Sequence, residues 1–219
     1  MKKYFLIILL GVLTKISYSQ PDTVWISHDF SAATQGWNVT HFSKVQDGVD
    51  SVAKGGFIYV GEGTWDETVI LRDDKNLIGA GVGLSILRKI DIFNSGEISE
   101  SVIKNFTLNL ASEDSSEPAF SLGESSHVTV ENMRLLHQGF ALGNSHFNNI
   151  CNVIAKESGS VGLSASSNNI IKENELGSLI YPSQIWVMEG SNNNSIEDII
   201  ISGLQGDEVS CTGISSLYS

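Results

Sequence analysis

The sequence predicts an all-β fold in which short parallel strands stack in coils, and three observations lead to this prediction. A pattern of 20 to 25 residues occurs four times between Ala119 and Ile201. Within each copy, apolar residues lie two positions apart, the spacing of strands with one buried face. Glycine is frequent, with 21 residues, and proline is rare, with 3, which suits many turns between strands that keep their backbone donors.

The four copies align in apolar columns. The frame positions, one in each copy, are Leu122, Leu142, Leu163 and Met188. Two places earlier stand Phe120, Phe140, Val161 and Trp186; eight places later Val130, Ile150, Ile171 and Ile196; thirteen places later Leu135, Ala155, Leu176 and Ile201. These columns predict a core of stacked side chains that includes Trp186, in which burial of each aliphatic member contributes about 1.5–3 kcal/mol.

Two polar columns are expected at the bends between strands. Three places after the frame stand Ser125, Ser145, Ser166 and Ser191, and ten places after it Asn132, Asn152, Glu173 and Asp198. Short polar side chains at bends form hydrogen bonds with neighbouring backbone groups and with each other. Structural ladders are therefore predicted here rather than catalytic rows.

A short helix is predicted before the strands. Val45, Val49 and Val52 fall on one helical face, with Ser43 as the expected N-cap and Gly55-Gly56 at the end of the helix. The open first coil of a solenoid exposes backbone donors and acceptors. An amphipathic helix with one apolar stripe would cover that edge.

Strand-like runs follow the helix at once. They are Phe57–Val60, Thr68–Leu71, Leu77–Ile78, Ile86–Leu87, Ile90–Phe93 and Val102–Leu108. At the observed period, residues 56–219 have room for about seven coils. The last residues, Gly213–Ser219, resemble the start of another coil with no cap, so either further coils or a further domain follow them, or this end of the chain lies against a partner.

The first 19 residues read as a secretory signal. Met1-Lys2-Lys3 is a charged start, Tyr4–Val12 an apolar run and Ser17–Ser19 a small-residue cleavage site. The apolar run is too short for a membrane anchor. The predicted mature chain, residues 20–219, has no membrane span. It is predicted to be secreted, with an extracellular, periplasmic or cell-surface location. Residues 20–55 would form an N-terminal strand and the capping helix, and residues 56–219 the coils.

The two cysteines are expected to be free thiols. Cys151 belongs to the second copy of the repeat and Cys211 follows the fourth, so about three rungs of roughly 4.8 Å separate them. The resulting distance of about 14 Å is well beyond the ~7 Å limit between the Cα atoms of bridged cysteines.

The charge pattern limits the classes of partner. A formal net charge of −12 argues against DNA and RNA, which bind clusters of lysine and arginine. The acidic pairs lack calcium-loop spacing and are expected in solvated loops: Asp73-Asp74, Glu113-Asp114 and Asp207-Glu208. The five histidines show no two-ligand spacing. No metal site and no cofactor are therefore predicted.

Several phrases resemble a known superfamily. The stretches His41–Val52, Gly56–Val69 and Asn76–Gly81 are similar to the opening of pectin-lyase-like proteins. The phrase Ser-Asn-Asn-x-Ile-x-x-Asn at Ser167–Asn174 resembles β-helix repeats of bacterial surface and periplasmic proteins. The resemblance implies a right-handed parallel β-helix that is entered through a capping helix. Gly63–Glu67 resembles a structural phrase of pectinesterases, whereas the catalytic phrases of pectinesterases and polygalacturonases are absent from the sequence.

Outward-facing rows are the places where a ligand could bind. Nine places after the frame stand Lys104, Glu131, Cys151, Lys172 and Glu197, and twelve places after it Thr107, Arg134, Ile154, Glu175 and Ile200. A lyase acting on uronate polymers needs an arginine or calcium against the carboxylate and a base for the C5 proton. Arg134 is the candidate for the carboxylate, and Lys172 or His137 for the base. The candidate substrate-binding residues are Arg134, Lys172 and Glu175, with subsites two rungs, about 10 Å, apart.

The sequence therefore predicts a secreted or surface protein that binds polysaccharide as a non-catalytic recognition or scaffold region. The alternative is a carbohydrate-active enzyme of the pectate-lyase-like or pectinesterase-like type that acts on uronate polysaccharides. Such an enzyme would use Ca²⁺ if it were a lyase. A periplasmic metal-delivery β-helix is a third class, but no cluster of histidine, methionine or cysteine supports it.

Overall fold

The computed structural model describes residues 19–93, 100–110, 117–155, 160–177, 185–188, 190–202 and 215–216. These residues form one helix, α1 (Val45–Ser51), and 18 strands. The strands are β1 (Thr23–Ile26), β2 (His41–Phe42), β3 (Phe57–Val60), β4 (Gly63–Arg72), β5 (Asn76–Gly79), β6 (Ser85–Phe93), β7 (Ser101–Asn109), β8 (Phe120–Gly123), β9 (Val128–Leu136), β10 (Phe140–Gly143), β11 (Asn149–Ala155), β12 (Val161–Ser164), β13 (Ile170–Lys172), β14 (Glu175–Gly177), β15 (Ile185–Val187), β16 (Ser195–Glu197), β17 (Ile200–Ser202) and β18 (Ser215–Ser216).

Every pairing between these strands is parallel, and the register divides them into three ribbons. Ribbon A stacks Val24, Ile58, Leu77, Ile103, Val130, Ile150, Ile171 and Ile196. Ribbon B stacks Trp65, Leu87, Leu108, Leu135, Ala155, Leu176 and Ile201. Ribbon C stacks Val69, Ile90, Phe120, Phe140, Val161 and Ile185. The chain passes from ribbon A to B to C and back, so the predicted all-β, solenoid-like fold of stacked parallel strands is confirmed.

The apolar columns form the core, as the repeat predicts. Phe120 and Phe140 are each 1% exposed, and their rings stack with centroids 4.7 Å apart. Leu142 pairs with Leu122 on one side and with Leu163 on the other. Because strand residues alternate between the two faces, each ribbon contributes every second side chain to this core.

The fourth copy departs from the prediction, and the assignment of Trp186 to the core is wrong. Ile185 pairs with Val161 and is 1% exposed, whereas Trp186 pairs with Gly162 and is 39% exposed. Since the alternation allows only one of two neighbours to face inward, the inward position of Ile185 places the indole of Trp186 outside.

The frame residue of the fourth copy is likewise Val187, not Met188. Val187 pairs with Leu163, and Met188 is 40% exposed. The serine column is still reached in register at Ser191, because the extra residue is accommodated in the turn before it. Gly190 in that turn has a φ of +81°, which glycine adopts without steric cost.

Both predicted polar columns lie at bends, as expected. In the serine column each backbone N–H donates to the hydroxyl of the next coil: Ser125 to Ser145 at 3.2 Å, Ser145 to Ser166 at 3.1 Å and Ser166 to Ser191 at 3.1 Å. The other column has φ values between 51° and 55° at Asn132, Asn152, Glu173 and Asp198. This left-handed bend separates ribbon A from ribbon B.

A third ladder, of asparagines, was not predicted. Asn148 and Asn169 are 1% and 0% exposed, and Asn194 continues the column. The Asn169 carboxamide accepts from the backbone N–H of Asn148 at 2.9 Å and donates to the Ser145 carbonyl at 2.9 Å. These side chains satisfy buried backbone groups at the turn from ribbon C to ribbon A.

The predicted apolar face of α1 is confirmed, but its predicted N-cap is wrong. Val45, Val49 and Val52 are at most 1% exposed. Lys44 occupies the N-cap position without a side-chain hydrogen bond, so Ser43 does not cap the helix. Gly55 has a φ of +77°, yet the helix already ends at Ser51.

The first turn of α1 is capped by a carboxylate from β4 instead. The two Glu67 oxygens accept from the backbone N–H of Val45 at 3.3 Å and of Gln46 at 3.1 Å. The Gln46 amide in turn accepts from the Ile70 N–H at 2.8 Å and donates to the Ile70 carbonyl at 3.2 Å. The helix therefore covers the first edge of ribbon C by direct hydrogen bonds to its backbone.

Replacing Glu67 by alanine is expected to lower the free energy of unfolding by about 1–2 kcal/mol, because two N–H groups of the first helical turn lose their acceptor. Urea denaturation followed by circular dichroism measures the change. Glu62→Ala is the control, because Glu62 is an exposed carboxylate in the neighbouring turn. An equal loss in both variants would contradict the capping role.

Several predictions fall on other residues. Residues 1–18, which hold most of the predicted signal, and residues 203–214 and 217–219, which include Cys211, lie outside the described residues. Cys151 is a free thiol, as expected.

Asp74 was expected in a solvated loop, which is wrong, because it is 2% exposed and pairs with Lys54 at 2.8 Å. Glu113-Asp114 and Asp207-Glu208 are not described. None of the described helical residues forms a helix long and apolar enough to cross a membrane.

Candidate functional site

The outward row of ribbon A is in register as predicted. Lys104 pairs with Glu131, Glu131 with Cys151, Cys151 with Lys172 and Lys172 with Glu197. An ion pair of 3.1 Å joins Lys104 and Glu131. Burial raises the pKa of the Cys151 thiol, and the Glu131 carboxylate adds to this shift, so the thiol is not activated. Mixed charges along such a row are typical of a solvated face.

The predicted site residues lie on two faces. Arg134 and Glu175 both face outward from ribbon B, with Ile154 between them, so they are two rungs apart as predicted. Lys172 faces outward from ribbon A, on the other side of the bend at Glu173. The Lys172 Nζ atom lies 3.9 Å from the Glu173 carboxylate. The strand register therefore brings Arg134 and Glu175 onto one row and leaves Lys172 on another.

Two further members of the predicted set have particular surroundings. His137 follows the end of β9 in a turn, with a φ of 76° and an exposed side chain. Thr107 lies in the row of Arg134, as predicted, but it is only 4% exposed and is therefore not accessible to a ligand. The backbone N–H of Gly83 donates to its hydroxyl at 2.9 Å, which means that the preceding turn covers it. The roles proposed for Arg134, His137, Lys172 and Glu175 remain predictions.

Three aromatic side chains on the outer face of ribbon A form a surface that was not predicted. Trp25, Phe57 and Tyr59 are 42%, 41% and 40% exposed, and we call them the aromatic platform. Trp25 pairs directly with Tyr59 across neighbouring strands. The Phe57 and Tyr59 rings are nearly parallel, with an interplanar angle of 12° and centroids 6.3 Å apart.

Strand alternation places these rings outside. In β3, Ile58 and Val60 are at most 2% exposed, so Phe57 and Tyr59 must face outward. Trp25 is oriented by further rings, which belong to the segment after β1. The His41 imidazole stacks on its indole at 5.3 Å, and Phe30 packs edge-on against His41 at 4.7 Å. The platform is therefore held in place by its neighbours.

An open cavity of about 320 Å³ adjoins the platform. Its walls include the side chains of Trp25, Phe30, Tyr59 and Ile78, and its remaining lining residues are Ile26, Ser27, Val60, Gly61, Gly79 and Ala80. Concave surfaces of this size with aromatic walls are typical of sites for small molecules. The apolar walls can bury C–H groups, and the hydroxyl of the exposed Tyr59 side chain can donate or accept a hydrogen bond.

A second exposed aromatic pair lies on ribbon C. Trp186 and Phe93 are each 39% exposed, and the Arg72 guanidinium lies 5.3 Å from the Phe93 ring centroid. Between them the outer face carries small residues: Ser121, Ala141 and Gly162 in one row and Gly123, Gly143 and Ser164 in the other. Four strand spacings, or about 19 Å, separate the two aromatic positions, so they do not form one platform.

The sequence did contain a signal for the platform. Val24-Trp25-Ile26 and Phe57-Ile58-Tyr59-Val60 each alternate an aromatic residue with aliphatic residues. Once the aliphatic residues are assigned to the core, the aromatic residues must face outward. Both strands precede the four-fold repeat of Ala119–Ile201. The columns of that repeat therefore contain no residue of either strand.

Metal ligation finds no support in the part of the chain that the structure describes. There, no three histidine, cysteine, aspartate or glutamate side chains come close enough together to hold a metal ion.

Comparisons of the chain with protein-family models, with curated proteins and with solved structures found no match. The similarity to pectin-lyase-like proteins therefore depends on the sequence phrases alone. The molecule is defined by its fold, an all-β stack of parallel strands with one helix over its first coil in the described residues.

Proposed function

We propose that this protein is a right-handed parallel β-helix of about seven coils, of the pectin-lyase-like type. We further propose that it is secreted or displayed at the cell surface and that it binds polysaccharide without catalysing a reaction on it. Its signal-like N-terminus supports export, and its stacked parallel strands are compatible with the β-helix. The observation that carries the binding function is the aromatic platform of Trp25, Phe57 and Tyr59.

The platform suits a sugar chain for a simple physical reason. A pyranose ring has C–H faces and a rim of hydroxyl groups, so it gains by burying one face on an aromatic ring while its rim stays in water. Exposed rings on adjacent strands, Trp25 and Tyr59, offer successive contacts about 4.8 Å apart. Side chains that are already packed lose little conformational entropy on binding.

The chain's net charge of −12 narrows the proposed ligand. Long-range repulsion disfavours strongly anionic polymers, and it is reduced when salt screens the charges. Binding through the platform depends on apolar contact and changes little with ionic strength. Neutral or weakly charged polysaccharides are therefore the proposed partners.

Removing the platform is expected to weaken polysaccharide binding by about tenfold or more, because central tryptophan and tyrosine residues typically contribute over 1 kcal/mol each. The variant is Trp25→Ala with Tyr59→Ala. Affinity electrophoresis in gels that contain a panel of neutral and acidic polysaccharides measures the retardation. Trp186→Ala, an equally exposed tryptophan on ribbon C, is the control and is expected to behave as the parent. Equal retardation of the double variant and the parent would show that the aromatic platform is not the polysaccharide-binding site.

The enzymatic alternative has one observation in its favour, the shared outward row of Arg134 and Glu175. In a lyase, Arg134 would bind the uronate carboxylate. The test is incubation with pectin, polygalacturonate and alginate, with and without Ca²⁺, while following unsaturated product, methanol and reducing ends. If the protein turns over one of these polymers and the Arg134→Ala variant does not, the protein is an enzyme, and the proposal of binding without catalysis is wrong.

A further inference from the structure

A second open cavity, of about 300 Å³, lies on the outer face of ribbon B and is separate from the platform. Its polar lining comes from Thr64, Asp66, Arg88 and Asn109. Ile86 contributes a half-buried apolar side chain, and Trp65 and Leu87 complete the lining. Three successive coils, through β4, β6 and β7, thus contribute to one cavity.

An irregularity in β4 places Asp66 at this cavity. The register between β4 and β6 shifts between Trp65 and Thr68, so two residues of β4 lie outside the regular ladder. One of them, Glu67, caps α1 and is thereby occupied. The other, Asp66, has an exposed side chain that lines the cavity. Bulges often redirect a side chain next to a functional site.

The amide of Asn109 is the strongest indication that the cavity takes a ligand. Its Oδ1 atom is buried and has no hydrogen-bond partner. In this orientation the Asn109 amide oxygen is an acceptor that no donor of the protein reaches. A buried acceptor without a donor is costly, and a ligand hydroxyl would remove that cost once the half-buried Asn109 side chain rotates its oxygen into the cavity.

Arg88 supplies donors on the rim of the same cavity. Its side chain is exposed, and among the described residues no ion pair within 4.0 Å includes either Arg88 or Asp66. The adjacent Lys89 differs, because it pairs with Asp91 at 3.2 Å and with Glu117 at 2.8 Å. The guanidinium of Arg88 acts on Glu117 only at longer range, where it helps Lys89 to lower the pKa of the Glu117 carboxyl, and it offers up to five N–H donors to a ligand.

We propose that this cavity binds a neutral hexose unit. Its hydroxyl groups would donate to Asn109 Oδ1 and to Asp66 and accept from Arg88, and a C–H face would lie on Ile86. Charge favours a neutral ligand: Asp66 balances Arg88, so a carboxylate would meet the aspartate without an excess of positive charge. A metal cation lacks support, because Asp66 is the only acidic side chain in the lining.

Isothermal titration with glucose, galactose, mannose and glucuronate tests the proposal on the full chain. At least one neutral hexose is expected to bind with a millimolar dissociation constant, more tightly than glucuronate. Asn109→Leu and the exposed change Arg88→Gln are each expected to weaken that binding by about tenfold or more, since each removes a hydrogen bond to the sugar. Asn149→Leu is the matched control, because Asn149 carries the same kind of unpartnered buried amide oxygen on ribbon A.

The platform variant distinguishes this proposal from the proposed function. Trp25→Ala with Tyr59→Ala is expected to bind the hexose as the parent does, because none of the cavity residues belongs to the platform. The proposal is overturned if no neutral hexose binds at about 50 mM, well above millimolar affinity. It is equally overturned if glucuronate binds more tightly, or if Arg88→Gln and Asn109→Leu both bind as the parent.

Discussion

Replacing Asn169 by leucine is expected to lower the free energy of unfolding by about 3–5 kcal/mol. The Asn169 side chain is 0% exposed and makes four hydrogen bonds. It accepts from the backbone and side-chain nitrogens of Asn148 at 2.9 and 3.0 Å, and it donates to the Ser145 carbonyl and to Asn194 at 2.9 and 3.0 Å. Leucine would leave the Asn148 backbone N–H buried without an acceptor.

Guanidinium denaturation monitored by circular dichroism and fluorescence measures this loss. The matched control is Asn192→Ala in the next coil, because the exposed Asn192 side chain makes only a 3.5 Å bond to Gly190 within its own turn. That change is expected to stay within about 0.5 kcal/mol. A loss below about 1 kcal/mol for Asn169→Leu would mean that the ladder is not a source of stability.

Replacing Phe140 by alanine is expected, as a separate single change, to lower the free energy of unfolding by about 3–5 kcal/mol. This is the usual range for a fully buried phenylalanine. Phe140 is 1% exposed and stacks on Phe120 in the neighbouring coil. Alanine would remove this contact and leave a cavity between coils that the surrounding β-strands cannot close, because their hydrogen-bond ladders fix the spacing.

Phe147→Ala is the control for this prediction, because the Phe147 ring is 56% exposed and stacks only on His127, at 5.5 Å. Its cost is expected to remain below about 1 kcal/mol. Thermal unfolding of both variants measures the difference. If the two variants unfold at the same temperature, the column that contains Phe120 and Phe140 is not part of a stacked core.

The regular part of the fold could be predicted because it depends on local alternation. Leu122, Leu142 and Leu163 recur at nearly constant spacing, and each stands in a strand where every second residue is apolar. The structure pairs them directly. Columns of this kind require only the two-residue period of a strand and the length of one coil.

The position of Trp186 could not be predicted from spacing. The fourth copy contains an insertion, and both Ile185 and Trp186 are apolar enough to fill the inward position. Their order is decided by where the extra residue lies, which is the turn containing Gly190. A shift of one residue exchanges the two faces of a strand, so a small error in alignment moved a tryptophan from the surface to the core.

The candidate sites were missed for a related reason. The platform is made by Trp25 and Tyr59, which are 34 positions apart in a part of the chain without repeats, and their pairing appears only in the strand register. The cavity at Asn109 requires three coils and a bulge in β4. A repeat period predicts only contacts between regularly spaced residues, so it cannot predict contacts that depend on an irregular register. The alternation around Tyr59 did, however, indicate that its ring faces outward.

The most direct test of polysaccharide binding is to observe the indole N–H resonances of the tryptophans during a titration. The ligand is an oligosaccharide from the polymer that retards the protein most in affinity gels. The Trp25 resonance is expected to shift progressively, while the resonance of Trp186, which is 39% exposed on ribbon C, keeps its position. A shift confined to Trp186, or no shift at saturating ligand, would contradict binding at the platform.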